Sequence, residues 1–87
     1  MFKYTSNTLK KIEDIYRVSG YIIRYEKGNF KAGYCILENR KVVVVNKYYD
    51  KEARINCLIE ILPEIEIAED MLSNDQRKFL EKELLTT

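Results

Sequence analysis

The apolar positions between Arg40 and Leu62 predict a buried strand followed by an amphipathic helix. Val42 to Val45 are four consecutive β-branched residues, which favour a pleated surface. Because this apolar run is continuous and does not alternate, it predicts a strand that is covered on both faces, or an interior strand. Asp50 is placed to cap the helix that follows, and Pro63 should end that helix because proline lacks an amide donor.

Nearer the N-terminus, the apolar residues first recur at helical spacing and then alternate. The stripe between residues 9 and 18 predicts a helix over about residues 6 to 18, with a capping side chain among Thr5, Ser6 and Asn7. Gly20 suits the left-handed conformation that commonly closes a helix. From Tyr21 to Glu26 the apolar period is two, which predicts a half-buried strand.

Two polar turns then divide the chain into further strands. Residues 27 to 29 contain glycine and asparagine and predict a turn into a second strand over residues 30 to 38. Residues 38 to 40 predict another short turn into the valine strand. Short connections of this kind favour pairing between consecutive strands, so we expect a three-stranded antiparallel meander.

The segment after Pro63 has a weaker pattern, which predicts a loop or a short helix over residues 64 to 72. Ser73 with Gln76 three residues later is a capping-box signature that predicts a last helix. The predicted fold is therefore α+β, in the order helix, three strands, helix, helix (α-β-β-β-α-α). We expect a single domain over residues 1 to 87, with helices on one face of the sheet and the other face partly open.

The charge of the chain is nearly balanced but unevenly distributed. A net charge of +1 argues against a general polyanion binder. Residues 1 to 54 carry 12 basic and 6 acidic side chains, whereas residues 55 to 87 carry 3 basic and 8 acidic ones. The two parts are expected to complement each other or to solvate the fold.

The two cysteines and the absence of long apolar runs indicate in which cellular compartment the protein is expected. Cys35 and Cys57 have no CxxC spacing, so each is most simply a reduced, partly buried small hydrophobe, although a disulfide between them stays open. A signal-like start is absent, as is any apolar run near 18 residues. We therefore expect a soluble cytoplasmic protein without membrane contact.

The absence of histidine excludes several kinds of catalysis. Histidine is the side chain best suited to acid and base work near neutral pH, and it is the commonest ligand of catalytic zinc. The chain also lacks a phosphate-binding glycine loop, and the acidic residues between 64 and 70 lack the spacing of a calcium loop. We expect no enzymatic activity, no cofactor and no bound metal.

The central stretch resembles the core of ImmA/IrrE-like zinc metallopeptidases, in which a strand ending in asparagine precedes a helix with a His-Glu-x-x-His pair. The matching pieces are Val42 to Asn46, Arg54 and Glu60, within a resemblance that covers roughly residues 33 to 63. Glu60 occupies the place of the family's general base, but the ligand positions hold Ile59 and Pro63. The resemblance implies a shared strand-and-helix core that has lost zinc and proteolysis. Without it, Glu60 is simply an exposed helix residue.

The predicted order of elements also resembles that of double-stranded RNA-binding domains. Those domains contact RNA phosphates through a lysine-rich start to their second helix. The corresponding stretch here, Lys47 to Arg54, contains three basic and two acidic residues, so RNA binding is weakly supported.

Aromatic residues interleave with basic ones in the middle of the chain. Such a mixture suits base stacking with phosphate contact, and it equally suits a protein interface or a partly aromatic core. The candidate binding residues are Tyr21, Arg24, Tyr25, Lys27, Phe30, Lys31, Tyr34, Lys47, Tyr48, Tyr49 and Lys51. We expect a non-catalytic interaction module that binds a protein partner or a second copy through the open sheet face and the Tyr48–Tyr49 turn. The alternatives are a weak RNA or single-strand binder and an inactive zincin-like remnant.

Overall fold

A computed structural model describes residues 3–27, 34–37 and 41–84, with the backbone alone at residues 34–37 and 83–84. The main elements are helix α1 (Ser6–Val18), strands β1 (Ile22–Glu26), β2 (Tyr34–Leu37) and β3 (Val42–Asn46), and helix α2 (Lys51–Ile61). Two 3-10 turns (Leu62–Glu64 and Glu69–Met71) lead to helix α3 (Asn74–Phe79), which continues into a π-helical turn (Leu80–Leu84).

The three strands form a mixed sheet in the order β1-β3-β2, so the prediction of an antiparallel meander is wrong. Strand β1 pairs with β3 in parallel, from Ile22 opposite Val42 to Glu26 opposite Asn46. Strand β2 pairs with β3 antiparallel, with Tyr34 opposite Val45. Strand β1 therefore ends, and β2 begins, at the same end of the sheet and on opposite sides of β3.

The valine run occupies the middle strand, as its continuous apolar pattern predicts. Val43 and Val45 face the helices and are fully buried in the main core. Val42 and Val44 point to the outer face, where they are only 6% and 5% exposed. A central position stabilises this strand better than an edge position, since both of its edges are hydrogen-bonded and both faces are removed from water.

Helix α1 has the predicted bounds, with Thr5 as its cap. The Thr5 hydroxyl oxygen accepts a hydrogen bond from the Thr8 amide at 3.1 Å. Gly20 follows the helix with φ +87°, in the left-handed region that favours glycine. The inward stripe includes the fully buried Tyr16, whose hydroxyl donates to the Leu58 carbonyl and thereby links α1 to α2.

Helix α2 begins and ends where its cap and its proline predict. The Asp50 carboxylate accepts from the Ala53 amide at 2.8 Å, and Pro63 lies in the 3-10 turn that follows the helix. The buried side of α2 contributes Ile55, Leu58 and Ile61 to the core. Helices α1 and α2 thus cover the inner face of the sheet together.

The C-terminal part of the described chain is tied to this core at several points. The Ala68 amide donates to the Ser19 hydroxyl at 3.1 Å, which anchors the segment predicted to be a loop or short helix. The capping box is confirmed, since Ser73 and Gln76 exchange side-chain to backbone hydrogen bonds of 2.9 and 3.1 Å. Across the described ranges, none of the helices combines the length and the apolar character needed to cross a membrane.

Candidate interaction surface

The sequence-predicted binding residues do not form one surface. Tyr21, Tyr25 and Tyr49 are half-buried and lie against the core. The exposed members are Arg24, Lys27, Lys47, Tyr48 and Lys51. Phe30 and Lys31 lie outside the described residues, and Tyr34 is described by its backbone alone.

Tyr21 is part of the packing between α1 and the sheet. Its ring meets the Tyr16 ring edge to face, with centroids 6.4 Å apart and planes at 85°. The Lys41 ammonium nitrogen lies 5.9 Å from the Tyr21 centroid on the solvent side. Such an aromatic pair stabilises the core beyond its buried area, so Tyr21 has a structural role.

Tyr25 connects β1 to both helices. Its hydroxyl donates to Glu13 Oε2 at 2.5 Å, and the Arg54 guanidinium carbon lies 4.2 Å from the ring centroid. Burial is the largest cause that raises the pKa of Tyr25 far above its ordinary value, and the hydrogen bond to Glu13 adds to it. The positive charge of Arg54 acts in the opposite direction. This ring is therefore held in place as a neutral phenol.

Arg54 also holds the turn between β3 and α2. Its Nε donates to the Tyr49 carbonyl and its Nη2 donates to the Lys47 carbonyl, both at 2.9 Å. The Asn46 side-chain oxygen accepts from the Tyr48 amide at 3.0 Å, which closes the same turn locally. Tyr48 is consequently presented on an ordered turn with 68% of its surface exposed. The Lys47 ammonium nitrogen lies 5.3 Å from the Tyr48 centroid.

Glu60 is exposed in the last turn of α2, beside the half-buried Ile59. Burial raises the pKa of the neighbouring Cys57 thiol to about 11, and the negative charge of Glu60 adds to this shift. Cys57 is a free thiol. Within the ranges that the structure covers, no group of three or more potential metal ligands is present.

Among the side chains described on the outer face of the sheet, those of β1 are exposed. The middle of this face is occupied by Val42 and Val44, which are buried. Ile22, at the start of β1, is 59% exposed. Arg24 and Glu26 follow on the same face, with side chains 60% and 51% exposed and 3.9 Å between Nε and Oε1. Among the side chains described on this face, the exposed ones therefore form a strip along β1.

Strand β1 has one edge that no described strand pairs with, which is called its free edge. The Ile22 amide donates to the Lys41 carbonyl at 2.9 Å, and the Lys47 amide donates to the Glu26 carbonyl at 3.1 Å. Residues 22, 24 and 26 thus direct their main-chain groups toward β3, and the alternation of the strand directs those of Ile23 and Tyr25 outward. Among the described residues, no strand pairs with this edge.

A cleft runs beside this free edge, between β1 and α1. It has a volume of about 220 Å³ and is lined by Glu13, Arg17, Tyr21, Ile22 and Ile23. An edge strand flanked by a helix is an arrangement that receives an extended polypeptide as an added strand. The sequence prediction included Tyr21, which lines this cleft, but it placed binding on the open sheet face and not at the edge of β1. The sequence feature that could have indicated this edge is the alternating, proline-free stretch of β1, which has Arg24 and Glu26 two residues apart on one face.

Comparisons of this chain with protein-family models, with curated proteins and with solved structures found no match. Neither of the two resemblances seen in the sequence is therefore supported by a relative. The resemblance to double-stranded RNA-binding domains also depended on three consecutive antiparallel strands. The mixed sheet does not have that arrangement.

Proposed function

We propose that this chain is a non-catalytic protein-interaction module that binds an extended polypeptide segment along the free edge of β1. The observation that carries the proposal is that, among the described residues, β1 pairs with a strand on one side only, while its other edge lies next to the cleft beside α1. An added strand would pair with the outward main-chain groups of Ile23 and Tyr25. Hydrogen bonds of this kind supply affinity, and side chains at alternate positions supply specificity.

The walls of the cleft suit such a segment on both sides. On the sheet side, Ile22 offers exposed apolar surface at the start of the strand. On the helix side, Arg17 is exposed and pairs with Asp14 at 2.9 Å, which leaves a polar rim. An apolar centre with a polar rim is the usual organisation of a protein interface.

The turn that holds Tyr48 extends the same surface at the far end of β1. The Lys47 amide donates to the Glu26 carbonyl, so this turn adjoins the last residue of the strand. Tyr48 is exposed there, and tyrosine is enriched at binding hot spots because it buries a large area at low entropic cost. A bound segment that continued past Glu26 would meet the Tyr48 ring.

Nucleic acid is less well supported as a ligand. A single-strand binder needs several exposed rings beside its basic groups. Here the side chains of Tyr21, Tyr25 and Tyr49 lie against the core, and among these and Tyr48 only Tyr48 is exposed.

A peptide display selection followed by amide chemical-shift mapping tests the proposed function. Peptides selected against the chain should shift the amide signals of Ile23, Tyr25 and Lys27. Lys27→Pro should abolish their binding, because proline removes an amide donor that the strand alternation directs outward and adds bulk at the edge.

The matched control is Lys27→Ala, which removes the same exposed charge but keeps the amide. This variant should bind the selected peptides like the parent chain. Shifts that centre on the exposed side of α2 would contradict the proposal, as would equal binding by the proline and alanine variants.

A further inference from the structure

We infer that the segment received by β1 is β1 of a second copy of this chain, paired antiparallel about a two-fold axis at Tyr25. This inference rests on the proposed function, since it uses the same free edge. It goes further by naming the partner and the register. The result would be a continuous six-stranded sheet with the two β1 strands at its centre.

The main-chain geometry of β1 permits this register. The outward carbonyl and amide of Tyr25 can exchange hydrogen bonds with the same groups of Tyr25 in the second copy. The ladder then continues on either side with Ile23 opposite Lys27. The hydrogen bonds between β1 and β3 are unaffected, because they use the main-chain groups on the other edge of β1.

The charges of β1 select this register over its neighbours. With Tyr25 on the axis, Arg24 lies opposite Glu26 of the second copy, and Glu26 lies opposite its Arg24. These are non-hydrogen-bonded pairs, in which facing side chains approach most closely. Both side chains are exposed on the outer face, so pairing does not require the burial of a charge.

The neighbouring registers lack this complementarity. An axis at Arg24 would place the two arginines face to face, and an axis at Glu26 the two glutamates, and either arrangement is destabilising. An axis at Ile23 would place Arg24 opposite Ile22 and leave both charges without an opposite partner. The strand sequence Ile22–Glu26 is therefore self-complementary in one register.

Sedimentation velocity over a wide range of concentrations, with the parent chain, three charge variants and Lys27→Pro, tests the inference. The parent chain should form dimers. Arg24→Glu and Glu26→Arg each convert both attractive pairs into like-charged pairs, and each should raise the dimer Kd by roughly tenfold or more. The Arg24→Glu, Glu26→Arg double variant restores opposite charges across the axis and should dimerise like the parent.

Mixing the two single variants provides a further test. One single variant carries two acidic residues on β1 and the other carries two basic ones, so an equimolar mixture should form a heterodimer more readily than either variant alone dimerises. Because Arg24 and Glu26 are exposed, all variants should keep the circular dichroism spectrum of the parent chain.

A parent chain that stays monomeric at every concentration would overturn the inference. Peptide binding that is sensitive to Lys27→Pro could still be observed in that case, so the proposed function would survive. A dimer that is indifferent to the charge changes and to Lys27→Pro would place the interface elsewhere and would overturn the inference. Failure of the double variant to recover dimerisation would overturn the assigned register.

Discussion

The Tyr25 hydroxyl and the Glu13 carboxylate form a hydrogen bond of 2.5 Å that joins the edge strand β1 to helix α1. The same ring lies 4.2 Å from the guanidinium carbon of Arg54 on α2. One aromatic side chain therefore contacts both helices that cover the sheet. This contact sets the position of α1 relative to β1, and with it the width of the cleft in which we propose that a partner strand binds.

Replacing Tyr25 with phenylalanine should destabilise the chain by about 1–3 kcal/mol, because a half-buried carboxylate then loses its donor. The free energy of unfolding in urea measures the change. Tyr48→Phe is the control, since its hydroxyl belongs to an exposed side chain and its removal should cost less than about 0.5 kcal/mol. Equal losses in the two variants would show that the bond to Glu13 contributes nothing.

The raised pKa of Tyr25 predicts a loss of stability in alkali. The phenol ionises near pH 10 in the unfolded chain, whereas burial and Glu13 keep it protonated to higher pH in the folded chain. Above pH 10 the unfolded state therefore binds fewer protons, and stability falls as the pH rises. Urea midpoints on either side of pH 10 should fall more steeply for the parent chain than for Tyr25→Phe. Parallel slopes would contradict the assigned cause.

Cys57 should react slowly with thiol reagents while the chain is folded. Its thiol is buried, and burial together with the charge of Glu60 raises its pKa from 9.0 to about 11, so little thiolate is present at neutral pH. In a Cys35→Ser background, labelling should accelerate strongly when urea is added. Glu60→Gln should change the rate little, since burial is the larger cause. Equal labelling rates with and without urea would contradict the buried position.

Arg54→Lys should loosen the turn that presents Tyr48. Lysine lacks the planar fork whose two separate nitrogens reach the Tyr49 and Lys47 carbonyls, and it stacks less well on Tyr25. We expect a loss of about 2 kcal/mol of stability, with amide shifts concentrated in the turn. Lys51→Ala serves as the control because it removes a nearby exposed cation. Unchanged turn signals in Arg54→Lys would contradict the role given to this arginine.

Asp50→Ala should cost about 1 kcal/mol, because the Ala53 amide at the start of α2 loses its acceptor. Asp50→Asn separates capping from charge, since the amide oxygen can still accept that bond. It should retain most of the stability. The free energies of unfolding of both variants decide between capping and charge. An asparagine variant as unstable as the alanine variant would assign the stabilisation to the negative charge.

The sequence alone was sufficient for the features that depend on neighbouring residues. The bounds of α1, the caps at Asp50 and Ser73, and the alternation of β1 were all predicted correctly. Each results from hydrogen bonds or side-chain spacings within a few positions, so the responsible groups can be read directly from the chain.

The strand order shows where two local signals conflict. The continuous valine run indicated an interior strand, whereas the short polar turns indicated a meander with that strand at the edge. The structure follows the valines and places β3 between β1 and β2. Burying four valines on both faces of the sheet stabilises the fold more than pairing β1 directly with β2 would. The lengths of the turns contain no information about this difference in free energy.

Only the tertiary structure decided which aromatic residues are available for binding. Tyr25 and Tyr48 look equivalent in the sequence, since each lies among basic and acidic neighbours. Glu13 and Arg54, which come from separate helices, hold Tyr25 inward, while the ordered turn leaves Tyr48 exposed. The local pattern of the chain specifies its helices and strands. The exposure of a given ring, and the edge that β1 leaves free, depend on distant side chains that meet only after those elements have packed together.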